Sequence, residues 1–164
     1  MSVANPVNQS LTKVEADLVF LRVWLGRFPL SLVQLAMRVA IGAIFLNSGR
    51  LKFDSFEFAV RLFEDEYQLP FLDPIWAARL AMLTELTFPI FLFLGLATRL
   101  ATLPLLGMVA VIEIFVYPQA WVEHLLWASV LVFLLTQGPG VFSVDYLVER
   151  WSANRSRHHE NERA

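Results

Sequence analysis

Glu113 and His124 each sit where an apolar stretch meets polar residues, and a carboxylate beside an imidazole can take up and release protons at neutral pH. Arg38, Asn47, Arg79 and Glu85 also fall inside apolar stretches. A charge at a bilayer centre costs roughly 2.5–3.5 kcal/mol on insertion scales, so such groups turn inward and pair. Matching depths suggest Arg79 with Glu113 and Arg38 with Glu85, with Arg38 alternatively snorkelling to the nearer surface. One reading of these pairs is structural, holding helices in register. The other is a polar pocket in the outer half of a bundle, lined by Asn47, Arg79, Glu113 and His124. In that pocket Glu113 and His124 are the candidate catalytic residues, placed to exchange protons with a bound ligand. Arg79, Asn47, Glu85 and Arg38 are the candidate ligand-binding residues. The competing reading of His124 is a histidine merely hydrogen-bonded to a neighbour.

The elements that must position these groups are membrane spans. Hydrophobic residues make up 57% and charged residues 17% of the 164, with a mean hydropathy of +0.55. A soluble domain carries about 25% charged residues, so this chain needs lipid as its solvent. Four apolar runs, about 30–51, 75–96, 100–117 and 121–137, approach the ~20 residues that cross a ~30 Å hydrocarbon layer. They lack the period-two alternation of barrel strands, so they read as helices. Short connections favour an all-α, up-and-down bundle of four antiparallel neighbours in residues 30–150, with no second domain.

Positive charge sets the expected orientation. Lys13, Arg22 and Arg27 precede the first run, Arg99 separates the second and third, and Arg150, Arg155, Arg157 and Arg163 follow the fourth. The positive-inside rule then puts both termini in the cytoplasm. Asp54, Glu57, Glu64, Asp65, Glu66 and Asp73 mark the opposite, acidic outer loop, whose interleaved phenylalanines suggest short helices on the bundle mouth. Trp76, Tyr117 and Trp121 on the outer side, and Trp24, Tyr146 and Trp151 on the inner, fit aromatic belts. Trp127 alone among the tryptophans falls inside a span.

In residues 1–29, Leu18, Leu21, Leu25 and Phe28 recur at helical spacing. This predicts an interfacial amphipathic helix before Pro29, retained because no small-residue cleavage site follows. Residues 151–164, rich in Arg, His, Asn and Glu, are expected to form a disordered cytoplasmic tail. A net charge of −2 is too small to imply a nucleic-acid partner. The chain has no cysteine, which excludes dithiol exchange and thiolate metal sites of its own. With one intramembrane histidine and scattered methionines, no metal site is expected.

In the first run Arg38, Gly42, Phe45 and Gly49 recur at spacings of four, three and four, so a polar group and two glycines share a face that another helix can approach closely. Pro89 and Pro104 remove helix hydrogen bonds and are expected to kink the second and third spans. Gly95 can take a positive φ where the second span stops, Thr98 can cap the third, and Arg99 can meet lipid phosphates. Gly138-Pro139-Gly140 ends the fourth, and Ser143 can cap a helix containing Asp145.

These strings together resemble the DoxX family of small four-helix membrane proteins: Arg38, Gly42, Phe45, Gly49 and Lys52, then Glu85, then Gly95-Leu96-Ala97-Thr98-Arg99, then Gly138-Pro139-Gly140 with Ser143 and Asp145. The resemblance spans about residues 30–150 and implies a bacterial inner-membrane protein. The family takes its name from a subunit of an archaeal thiosulfate:quinone oxidoreductase, while other relatives occur beside enzymes that modify metal-binding peptides. The leading expectation is therefore a membrane subunit of a redox system with a quinone-sized pocket, dependent on a partner oxidoreductase for electrons. The alternatives are a small transporter or exporter working as a homo-oligomer, or a scaffold anchoring a peptide-modifying enzyme to the lipid bilayer.

Overall fold

A computed structural model of the chain describes residues 15, 17–20 and 29–161. Of the unit formed by residues 1–30, residues 15, 17–20 and 30 are helical, the last as the start of the next helix. Leu21, Leu25 and Phe28 of the expected interfacial helix lie outside the described residues.

In the remaining unit, α1 (Leu30–Asp54) crosses the bundle and is followed by α2 (Phe56–Arg61) and a π-helical turn, Leu62–Tyr67. The helix α3 (Pro74–Leu94) runs back, and α4 (Thr98–Val111) returns through a second π-helical turn, Ile112–Val116. A 3₁₀ turn, Pro118–Ala120, leads into α5 (Trp121–Gln137), and α6 (Val144–Asn161) ends the described chain. No strand occurs among the described residues. Among the described residues, four stretches are long and apolar enough to cross a membrane: Leu30–Asp54, Pro74–Leu94, Thr98–Val116 and Pro118–Gln137. The fourth run becomes long enough because the 3₁₀ turn extends it.

Each span contributes to one buried cluster: Ile41 and Phe45 from α1, Leu92 from α3, Ala101, Leu105 and Val109 from α4, and Leu131 and Leu134 from α5. The helix α4 packs against both α3 and α5. The ring closes because Phe45 of α1 meets Trp127 of α5 edge to face, with centroids 6.0 Å apart. Most remaining apolar side chains point outward, as lipid-facing residues should.

Glycine decides how closely α1 and α3 approach. A Cβ added at Gly49 would lie 2.9 Å from the backbone carbon and Cβ of Glu85 and 3.0 Å from Leu86 N. At Gly42 the nearest atom is the Phe93 ring edge at 2.8 Å, and at Gly107 nothing lies within 4 Å.

At one end of the bundle, the turn end, α3 stops at Gly95 with φ 64°. Gly95 N donates to Leu92 O and Leu96 N to Phe91 O, the two bonds of a Schellman cap. Ala97 is left-handed as well, φ 45°, a conformation a β-carbon disfavours. The compensation comes from the far end of the chain: the Asp145 carboxylate accepts from Ala97 N at 2.7 Å and Thr98 N at 2.9 Å, while Asp145 N donates to Gly95 O. The expected cap from Thr98 is thus supplied by Asp145. Ser143 Oγ accepts from Tyr146 N and caps α6, as its spacing suggests.

One further expectation changes. Residues 151–161 continue α6 as helix where composition predicted disorder. No glycine or proline interrupts them, and the Arg155 guanidinium lies 4.5 Å from the Trp151 ring one turn away. Pro89 and Pro104 lie inside continuous helices, with Pro89 buried.

At the other end, the loop end, Ala59 and Phe63 pack on the alanine face of α3, Ala77, Ala78 and Ala81. Asp73 starts α3 by accepting from Ile75 N and Trp76 N, with Pro74 in the first turn where its missing N–H costs nothing.

The glycine geometry orders three substitutions. Gly49→Ala must push α1 off the α3 backbone and should destabilise by about 1–3 kcal/mol. Gly42→Ala displaces only a ring edge and should cost less, and Gly107→Ala should be neutral or stabilising. Thermal unfolding of the detergent-purified variants checks the order.

Candidate functional site

The polar side chains of the spans form two separate groups, because register along α1 and α3 keeps them apart. Gly49 lies level with Glu85, so Arg38, eleven residues earlier, is about 16 Å further along the axis. Arg38 therefore does not meet Glu85. It is fully buried at the turn end, where its guanidinium donates to Leu92 O and Phe142 O and interacts electrostatically with Asp145. Gln34 beside it donates to Gly138 O at 3.1 Å. These contacts fasten the segment after α5 to α1 and α3.

Glu85, 2% exposed, pairs instead with Lys52, whose Nζ lies 2.7 Å from Oε2. Lys52 Nζ also donates to Ser48 Oγ at 2.9 Å. A buried ion pair of this kind holds together only while both charges remain, since either alone would be a charge without a partner.

Glu113 pairs with His124, with Nδ1 2.6 Å from Oε2. The imidazole is buried and the carboxylate about one-third exposed. A carboxylate on Nδ1 fixes the neutral tautomer with its hydrogen there, leaving Nε2 as the basic nitrogen, and it stabilises the imidazolium when the ring is protonated. His124 also lies against Trp127, the rings tilted by 60° with centroids 5.4 Å apart.

Arg79 and Asn47 lie away from both groups. The buried stripe of α3 runs through Ala78, Ala81, Glu85, Pro89 and Leu92, and Arg79 falls one residue off it. Its guanidinium is exposed and sits 5.0 Å from the Trp76 ring and 5.9 Å from Phe56. The expected Arg79–Glu113 pair does not form, because the two residues occupy different faces. Asn47, two positions past Phe45, points outward from the buried face of α1 and is exposed.

A cavity of about 250 Å³ lies towards the loop end of the bundle, between the Lys52–Glu85 pair and His124. Phe45, Trp127, Phe63, Tyr67 and Tyr117 supply its aromatic walls. Lys52, Ser48, Tyr67 and Trp127 are lining residues that sequence reasoning left out of the site. Lys52 carried a usable signal, since it continues the stripe Arg38, Gly42, Phe45, Gly49 by three residues.

The mouth is covered by a phenolic clasp. Tyr117 donates to Glu66 at 2.7 Å, its ring meets Tyr67 edge to face at 5.9 Å, and Phe71 meets Phe115 at 5.5 Å. The Glu66 carboxylate holds the Tyr117 phenol above its ordinary range, and burial pushes Tyr67 up. Both are therefore neutral hydrogen-bonding groups at neutral pH. No group of three or more His, Asp or Glu close enough to hold a metal occurs among the described residues.

Four apolar spans closed around a buried cluster, with ion pairs turned inward, define an integral membrane four-helix bundle. The DoxX family model matches residues 33–118, just over half of the chain, and the chain belongs to that family. Comparison with curated proteins and with solved structures found no significant match.

Two predictions test the site's integrity. Lys52→Met strands a buried carboxylate and should destabilise the bundle by about 3–5 kcal/mol, whereas Lys52→Met with Glu85→Met should recover most of the loss; unfolding midpoints in detergent measure both. The clasp should loosen with alkali. A phenol whose folded value is raised contributes stability below its unfolded value, about 10, and loses it as pH rises from there towards the folded value. Tyr117→Phe should flatten the fall in unfolding midpoint above about pH 10.

Proposed function

We propose that this DoxX protein is the membrane subunit of a redox system and holds a quinone ring in the cavity at its loop end. The observation that carries this reading is the pairing of aromatic walls with two kinds of polar group in one small space: the Lys52–Glu85 ion pair and His124, which Glu113 backs from outside the cavity. Ligand pockets generally measure about 300–1,000 Å³, so a cavity of about 250 Å³ suits a single ring better than a bulky solute.

Reduction of a quinone to a quinol takes two electrons and two protons. The electrons come from a partner oxidoreductase, because a chain without cysteine has no thiol couple of its own. One proton passes to a ring oxygen from His124, which recovers it through Glu113 at the more exposed side of the pair. Lys52 keeps its proton and donates a hydrogen bond to the opposite oxygen, and the second proton follows the first through the His124–Glu113 couple before the quinol leaves. Glu85 keeps the ammonium in place. Arg79 and Asn47, outside the cavity, have no part in this reading.

The apolar cluster of Ile41, Leu92, Leu105, Leu131 and Leu134 occupies the bundle beyond the cavity, which favours a closed binding site over a transport path. In the bacterial inner membrane, with both termini cytoplasmic, the cavity lies in the outer half of the bilayer.

Saturable quinone binding by the purified chain tests the proposal. His124→Ala and Glu113→Gln should each weaken it by roughly tenfold while the chain stays folded; absence of binding in the unsubstituted chain would overturn it.

A further inference from the structure

His124 and Glu113 separate two spaces. On the interior side His124 lines the ring-sized cavity. On the lipid side a groove of about 410 Å³ runs between α4 and α5, and both His124 and Glu113 line it. The small side chains of Ala110 and Ala128 make room for the groove, and Leu106, Val109 and Leu125 make its walls apolar. The imidazole–carboxylate couple is the polar group on this otherwise apolar lining.

The backbone at the same place departs from regular α-helix. From Ile112 to Val116 the chain is π-helical, and Tyr117 N bonds to Ile112 O, five residues back. Such turns widen a helix locally and often accompany functional sites. Here the widened turn carries Glu113.

An acyl chain of the surrounding lipid can fill an apolar groove, but it offers nothing to a histidine paired with a carboxylate. A molecule with a polar ring on a long apolar tail uses both spaces. Building on the quinone-ring reading, we propose that the quinone reaches the cavity sideways from the lipid between α4 and α5. The His124–Glu113 couple is the gate it passes, and its isoprenoid tail remains in the groove. The couple that exchanges the proton then also controls passage, so that a ring arriving from lipid meets the Glu113 carboxylate and then the buried imidazole. The binding specificity this predicts is for tailed over tailless quinones.

The absence of cysteine from the chain allows a clean test by single-site labelling. Leu125→Cys and Ala110→Cys place a thiol in the groove, and Ile90→Cys places one on the exposed face of α3 as a control. Each purified full-length variant is measured before and after attachment of a bulky maleimide. The probes are a dimethoxy-methyl-benzoquinone without a tail and the same ring carrying a decyl tail. A label in the groove should weaken the decyl compound by roughly tenfold or more and leave the tailless ring within about twofold, while a label at position 90 changes neither. The two groove positions serve as alternates should one unlabelled variant misfold. Equal loss of both probes, or no loss of either, takes the tail out of the groove and overturns the proposal, while the ring site is judged separately by binding to the unlabelled chain. Failure of both quinones to bind the unlabelled, unsubstituted chain overturns the ring site, and the gate with it.

Discussion

Gly49 of α1 rests against the backbone of Glu85, and that approach sets the register on which the other polar contacts depend. It brings Lys52, one turn later on the same face, onto the Glu85 carboxylate, and it carries Arg38 to the opposite end of α3. A lipid environment makes the register consequential, since a polar group without a partner there cannot fall back on water. Shifted by a turn, α1 would leave both Glu85 and Arg38 facing apolar neighbours.

The two ends of the bundle then take different characters. At the turn end Arg38, Gln34 and Asp145 are spent on backbone groups: carbonyls after α5, the last turn of α3, and the first N–H groups of α4. Most of their hydrogen-bonding groups are committed to the fold in this way, with Arg38 Nε and Thr98 Oγ1 left without partners. At the loop end the side chains bond mainly to one another, Lys52 to Glu85 and Ser48, His124 to Glu113, Tyr117 to Glu66, and they surround open space. Side chains paired with side chains can exchange partners with an incoming molecule, whereas those holding backbone cannot do so without unfolding a turn.

The four spans and their up-and-down order were legible because lipid crossing demands long apolar runs and helical geometry, and the glycine face of α1 was legible from spacing alone. Partners were harder to read. Depth matching suggested Arg38 with Glu85 and Arg79 with Glu113, yet depth is only one coordinate. Arg79 is one residue off the buried stripe of α3, and Asn47 is two past Phe45, so both face away. Glu113 with His124 requires knowing how α4 and α5 rotate about their axes, which neither sequence segment states by itself. The Asp145 cap is less readable still, because its acceptor and donors lie 47 and 48 residues apart.

That distance has a bearing on biogenesis. A chain emerging from its N-terminus completes α3, the Gly95 turn and the whole of α4 before Asp145 exists. Until then nothing compensates a left-handed Ala97, and the amides of Ala97 and Thr98 lack the carboxylate that closes them. The middle hairpin is thus inserted in a provisional state, and the first turn of α6 acts as its fastener. An interhelical lock of the middle hairpin is thus supplied from beyond the last of the four apolar spans.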